Sequence, residues 1–289
     1  MDTSLWLGQG PRVDRPSALR TRTGLSYLAT RAGSLRVRHA PSEGPKLLFA
    51  ADGPNVIEHY DALIAALDGR ADVVVLEPPG TGASAPARGF DFTLESFTEA
   101  LLDALGALGP RTLILPCYLG VVAQQVALRN AKLAPRVVMP QTPSWADFAR
   151  WADLVDRGRL VRTPVVGQCV MSAGRRRVAA QWYRASTSSG EHARRFTETV
   201  GEAFAFGGCF CLASTMQGFE RGPAPEPRAL PVPAAVVWGR KDRTHRRSDP
   251  MTSVPGAEVV FFDECGHSPE LEDPQRFARW LLTWSETHG

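Results

Sequence analysis

Arg111-Thr-Leu-Ile-Leu-Pro-Cys-Tyr-Leu-Gly-Val-Val-Ala-Gln-Gln-Val126 is the stretch whose reading decides the fold. Its apolar run, residues 113–115, breaks at Pro116, and beyond Gly120 the apolar spacing becomes helical, which predicts strand, sharp turn, helix. A turn of this kind holds its central side chain up at the edge of a sheet. Small residues two places either side let strand and helix crowd together around it. Pro116 and Gly120 can fill those places, which centres the turn on Tyr118. Centring it on Cys117 would put Leu115 and Leu119 there, and both are too large for the crowding.

Outward from this turn, two strands are expected within residues 25–38, joined at Ala32-Gly33-Ser34, and a third, continuously apolar, over 46–51. Helical spacing over 56–67, a buried strand at 72–76, a helix over 94–108 closed by Gly109-Pro110 and a strand at 136–139 follow. Strands alternating with helices imply an α/β protein with a mostly parallel central sheet flanked by helices. Between Gln141 and Pro231 there is no good β run. Helical patterns rich in Trp, Phe and Arg stand there instead, at 145–155, 175–185 and 191–206. Proline-dense residues 222–233 return the chain to the sheet, since prolines at that density cannot continue a helix. The last strands are expected at 234–238 and 258–262 and the closing helix at 274–284. The expected division is an extended leader, 1–22, a core of 23–141 and 226–289, and a helical cap, 142–225.

Composition narrows the function classes. Basic and acidic residues nearly cancel, 33 against 30, and only Lys46, Lys132 and Lys241 are lysine. That skew, with abundant Ala, Gly and Pro, is the mark of a GC-rich, bacterial coding sequence. The basic runs at 175–177 and 240–247 are short or interrupted, so they read as solvated surface and no nucleic-acid partner is expected. Cys117, Cys169, Cys209, Cys211 and Cys265 are odd in number and lack C-x-x-C or Cys/His spacing. Neither a disulfide framework nor a zinc site is indicated, and reduced thiols are expected. No apolar run approaches the length of a membrane helix and the opening residues lack a signal peptide's apolar centre. The expectation is a cytoplasmic protein with no membrane partner, a homodimer being left open.

Four segments, in this order, resemble the α/β-hydrolase family, over about residues 23–289 apart from the insert. Glu77-Pro-Pro-Gly-Thr-Gly-Ala-Ser84 looks like that family's strand-end turn D-x-x-G-x-G-x-S, and the strand-turn-helix above is similar to its nucleophile elbow. Gly239-Arg-Lys-Asp242 is similar to the turn that presents the acid. Cys265-Gly-His-Ser-Pro-Glu-Leu-Glu-Asp-Pro274 is similar to the histidine loop G-H-x-P-x-x-E-x-P. The resemblance implies the α/β-hydrolase fold with a helical cap insertion, and His267 and Asp242 as catalytic residues. Gly80-Thr-Gly-Ala-Ser-Ala85 formally fits a dinucleotide fingerprint as well, but Pro86 stands where the phosphate-cradling helix should open.

Departures from the family carry the functional reading. The oxyanion loop, which usually begins His-Gly, here reads Ala51-Asp-Gly-Pro54, leaving the amides of Gly53 and Leu119 as expected donors. Tyr118, at the expected elbow centre, is a poor acyl acceptor: its hydroxyl has a reference pKa near 10 and projects about 4 Å further than a serine oxygen. It can still exchange a hydrogen bond or a proton with a substrate or with His267, whose imidazole Asp242 would hold. A histidine backed by an acid and lacking a serine is a general base.

That pattern resembles the family's cofactor-independent oxygenases, which deprotonate an aromatic hydroxyl or enol for direct reaction with dioxygen. The resemblance implies no cofactor and no metal, a small aromatic or polyketide-like substrate and a tailoring role in natural-product biosynthesis, with C–C cleavage open. Trp145, Trp151, Trp182, Tyr183, Phe206 and Phe210 are the expected substrate-binding aromatics of the cap. A non-oxidative lyase or cyclase, a ligand-binding protein with a vestigial site, and an esterase using Cys117 are the alternatives.

Overall fold

The computed structural model describes residues 22–288; the expected leader thus falls, but for Arg22, outside the described residues. The chain opens with the hairpin β1 (Leu25–Thr30) and β2 (Gly33–Ala40), followed by β3 (Lys46–Ala50), α1 (Asp61–Leu67) and β4 (Asp72–Leu76). Two short pairings, β5 (Thr81–Gly82) and β6 (Ala85–Pro86), lead into α2 (Leu94–Leu108), β7 (Thr112–Ile114), α3 (Tyr118–Arg129) and β8 (Val137–Pro140). The insertion then supplies α4 (Trp145–Val155), α5 (Val166–Ser186), α6 (Gly190–Ala205), the short β9 (Cys209–Phe210) and α7 (Leu212–Arg221). The chain returns through β10 (Ala234–Gly239), β11 (Glu258–Phe262), α8 (Pro269–Glu272) and α9 (Pro274–Thr287).

The sheet runs β1-β2-β4-β3-β7-β8-β10-β11, antiparallel through β2 and β4 and parallel from β4 to β11. This is the α/β-hydrolase architecture that the sequence motifs imply. Period-two strands explain why both faces are covered. Leu47, Phe49, Val73, Val75, Val138 and Val237 join one apolar cluster, while their neighbours Leu48, Val74, Leu76, Val137, Met139 and Val236 join the other. Each strand therefore buries both sides, and helices must close each side. The insertion is helical as expected, with one difference: Cys209–Phe210 forms a β bridge to Thr81–Gly82, tying the insertion to the loop after β4. Among the described residues no helix is long and apolar enough to cross a membrane.

Candidate active site

Because β3, β7, β10 and β11 all run parallel, their C-terminal loops emerge at one edge of the sheet. Each loop delivers one polar side chain: Asp52 after β3, Cys117 after β7, Asp242 after β10 and His267 after β11. None of the four is more than 5% exposed.

The strained residue of the central turn is Cys117, with φ 52° and ψ −127°, and Tyr118 is already the first residue of α3. A non-glycine residue held in such a conformation costs roughly 1–3 kcal/mol and persists only where its surroundings impose it. The turn is thus centred one residue earlier than the spacing of small residues predicts. The reason is where the crowding falls. A Cβ on Gly120 would stand 2.0 Å from Oγ1 of Thr142, at the end of β8, so Gly120 is the residue that lets helix and strand approach. Leu115 and Leu119 are buried in the apolar cluster on that face of the sheet and leave the approach clear.

Tyr118 does not occupy the turn's centre. Its ring packs edge-on against Phe97 (5.9 Å) and Phe219 (5.4 Å), and its hydroxyl lies toward the Thr81 side chain. Burial, and then the charge of Asp52, push this phenol well above its ordinary pKa. The expected donor Leu119 is also corrected: its amide donates to the Pro116 carbonyl (3.0 Å) within the turn. The amide that faces the Cys117 sulfur is that of Tyr118. Gly53 follows Asp52 on the β3 loop, where a Cβ would meet the Phe210 ring at 3.1 Å.

His267 and Asp242 meet as the sequence implies. Nδ1 of His267 lies 2.8 Å from Oδ2 of Asp242, whose Oδ1 accepts from the Thr244 amide (2.7 Å) and hydroxyl (2.6 Å). The arginines flanking Asp242 in sequence are engaged elsewhere, Arg240 with Asp263 and Arg243 with the carbonyls of Arg184 and Thr187. Two glycines permit this pairing: a Cβ on Gly239 would stand 1.8 Å from the Gly266 carbonyl oxygen, and one on Gly266 2.1 Å from that of Ser186. The His267 amide itself donates to Ser186 (2.7 Å), so the cap helix α5 anchors the histidine loop.

On its other side Nε2 of His267 stands 3.7 Å from Oδ2 of Asp52. One ligand-type atom each from Asp52, Cys117 and His267 lies within 4.8 Å of the others. Among the described residues neither His267 Nε2 nor Asp52 Oδ1 has a hydrogen-bond partner. Burial opposes a charge on His267, but Asp242, by charge and hydrogen bond, and then Asp52 outweigh it and hold the imidazole well above its ordinary value. Burial likewise opposes a charge on Asp242, which His267 nonetheless draws below the usual carboxylate range. Asp52 is raised by burial against the pull of His267. The Cys117 thiol is pushed up to about 11 by burial and by Asp52, with His267 acting in the opposite sense.

The expected aromatics divide. Trp182 sets its edge on the His267 ring (5.0 Å, 77°) and Trp151 meets Trp182 (5.7 Å). Phe210 stacks on Phe204 and closes over Gly53. Tyr183 is buried, its hydroxyl donating to Asn55 Oδ1 (3.0 Å) on the Asp52 loop. Trp145 packs on Phe148 and Phe219, and Phe206 is 38% exposed at the end of α6, so neither is brought to the His267 ring. Two residues were missed by sequence reasoning. His245 stacks between Trp151 (5.6 Å) and His267 (5.5 Å), held neutral by burial with its pKa lowered to about 4; its only signal is its place three residues after Asp242. Asp52 was visible only as a departure from His-Gly. Glu77 of the first motif is structural: it accepts from Arg36 (3.1 Å) and from the amides of Ile57 and Ala83.

The sequence profile described as "Alpha/beta hydrolase family" matches residues 47–280. No curated protein matches the sequence. Among solved structures the chain is similar to epoxide hydrolase A from Mycobacterium thermoresistibile, 16% identical with a TM-score of 0.68, covering 90% of this chain and 98% of that one. It is similar also to an epoxide hydrolase from hot-environment metagenomes, 18% identical with a TM-score of 0.69 over 90% of this chain and 97% of that one. A third similar structure is a bacterial membrane phospholipase A, 19% identical with a TM-score of 0.64 over 91% of this chain and 86% of that one. At these identities the likeness shows the fold alone.

Proposed function

We propose that this chain, which belongs to the alpha/beta hydrolase family, is a cysteine-dependent acyl-transfer enzyme with Cys117 as nucleophile. One observation carries the reading: Cys117 takes the strained φ of 52° at the strand-to-helix turn, with Asp52 and His267 around it. That conformation is the one in which this fold presents an attacking atom.

His267, with carboxylates on both sides, is the group most ready to carry a proton, so the reactive form is the thiolate–imidazolium pair reached when the thiol proton leaves. The sulfur attacks the acyl carbon, and the carbonyl electron pair moves to oxygen, beside the Tyr118 amide and, as second donor, that of Gly53. When the carbonyl re-forms, the leaving group departs with the proton from His267 Nε2, leaving a thioester on Cys117. Water then loses a proton to the neutral imidazole, attacks the thioester and releases the acid. Asp242 holds the ring through Nδ1 throughout and is a positioning residue. The edge of Trp182 on His267 favours an apolar, aromatic acyl group beside the thiol.

Incubation with a chromogenic aryl ester tests the reading. A burst of phenol equal to the enzyme, and a mass increase on Cys117, are expected, both absent in Cys117→Ala. Hydrolysis that persists in that variant overturns it. The oxygenase reading drawn from the sequence needs the Tyr118 hydroxyl and a free imidazole base beside one substrate. The hydroxyl is at Thr81 and the imidazole favours its charged form, which weighs against that reading; dioxygen consumption lost in His267→Ala would restore it.

A further inference from the structure

We infer that Asp52, Cys117 and His267 form a binding site for a zinc-class divalent cation. The three side chains offer a carboxylate oxygen, a thiolate sulfur and an imidazole nitrogen, the donor set that such ions prefer. All three are buried, and their ligand atoms lie within 4.8 Å of one another.

The spacing itself favours an ion over a hydrogen bond. Oδ2 of Asp52 stands 3.7 Å from Nε2 of His267, which is too long for a hydrogen bond. An imidazole nitrogen and a carboxylate oxygen on a tetrahedral zinc, with arms of about 2.0–2.2 Å, are separated by about 3.3–3.5 Å, so a closing of a few tenths of an ångström seats this pair on the ion. The Cys117 sulfur lies within 4.8 Å of the other two ligand atoms and must approach by no more than about 1 Å to complete the triangle. His267 Nε2, which faces Oδ2 of Asp52, and the other carboxylate oxygen, Oδ1, are each buried and, among the described residues, without a hydrogen-bond partner, which costs free energy that a bound ligand would offset.

The surroundings match as well. A metal-bound histidine usually gives its second ring nitrogen to a carboxylate, which fixes the tautomer and raises the basicity of the ligating nitrogen. Nδ1 of His267 is held in that way by Asp242 at 2.8 Å, leaving Nε2 to face the site. Binding replaces the proton of the thiol and any proton on Nε2, both released to solvent. The cation's two positive charges then balance the thiolate and the Asp52 carboxylate, both buried. The site rests on this geometry alone. Its consequence, that bound zinc blocks acyl transfer by occupying the sulfur, rests in addition on the reading of Cys117 as nucleophile.

The test titrates cobalt(II) into the full chain after chelator treatment and removal, reading the near-ultraviolet thiolate-to-cobalt charge-transfer band. The band should saturate at one equivalent, vanish on adding zinc and be absent in Cys117→Ser. Asp242→Asn should weaken cobalt binding about 10–100-fold, and Asp52→Asn at least as much. Zinc should raise the melting temperature of the unmodified protein, a reading that needs no variant to fold. No band, or a band that survives Cys117→Ser, overturns the site. Acylation is measured separately in chelator: acylation without the band sinks only the metal site, and the band without acylation sinks only the nucleophile. Acylation undiminished by saturating zinc overturns the inhibitory consequence.

Discussion

Asp52 and His267 face each other across 3.7 Å, the carboxylate standing on the side of the imidazole opposite Asp242. The α/β-hydrolase pattern usually has His-Gly at the position of Asp52, so this pairing gives the site a second acid where the fold ordinarily has none. One ring is held between two carboxylates beside a thiol, and the consequences below follow from that.

Cys117→Ala should lower acyl transfer by on the order of 1,000-fold or more, because the attacking atom is gone and only binding and amide donors remain. Tyr118→Phe should leave turnover within the same order of magnitude, since Tyr118 is the first residue of α3 and not the centre of the turn. Single-turnover kinetics with one ester distinguish these outcomes from the reverse ranking, which the elbow centred on Tyr118 would give.

The rate of acylation should rise with pH above neutrality, because the thiol is held at about 11 by burial and by Asp52. Asp52→Asn removes a carboxylate that disfavours the thiolate and favours the imidazolium, so both groups move down. The whole kcat/KM profile should shift toward acid by about one pH unit. A shift toward alkali contradicts the assignment of Asp52.

Glu270, fully buried with neither carboxylate oxygen hydrogen-bonded among the described residues, is raised by burial to about 8. A carboxyl whose folded pKa exceeds its unfolded value of 4.5 binds its proton more tightly when folded. Stability is therefore full below pH 4.5 and is lost as pH rises toward 8. Glu270→Gln keeps the shape of the protonated form and should stabilise the protein at pH 9 by on the order of a few kcal/mol, with little effect at pH 4. Urea denaturation at the two pH values measures the difference.

Gly120→Ala would place a methyl 2.0 Å from Thr142 Oγ1, forcing α3 away from the end of β8. The cost should be about 1–3 kcal/mol in urea denaturation, accompanied by loss of acylation as Cys117 shifts. Thr142→Gly in the same chain should recover part of both.

The sequence by itself determined the fold and half of the site. Period-two apolar strands alternating with helices require a doubly covered parallel sheet, and the loops bearing Asp242 and His267 are marked by glycines whose neighbours leave no room for a side chain. Only the tertiary structure decided which residue occupies the turn after β7. Spacing names the small residues near a tight turn, but the contact that needs one, Gly120 against the Thr142 side chain, joins segments twenty-two positions apart in the chain. The same holds for Asp52, whose nearness to Cys117 and His267 exists only because parallel strands bring their ends to one edge. Local pattern fixes what each segment becomes; which side chains then share a cavity depends on strand order and register, which pattern alone does not encode.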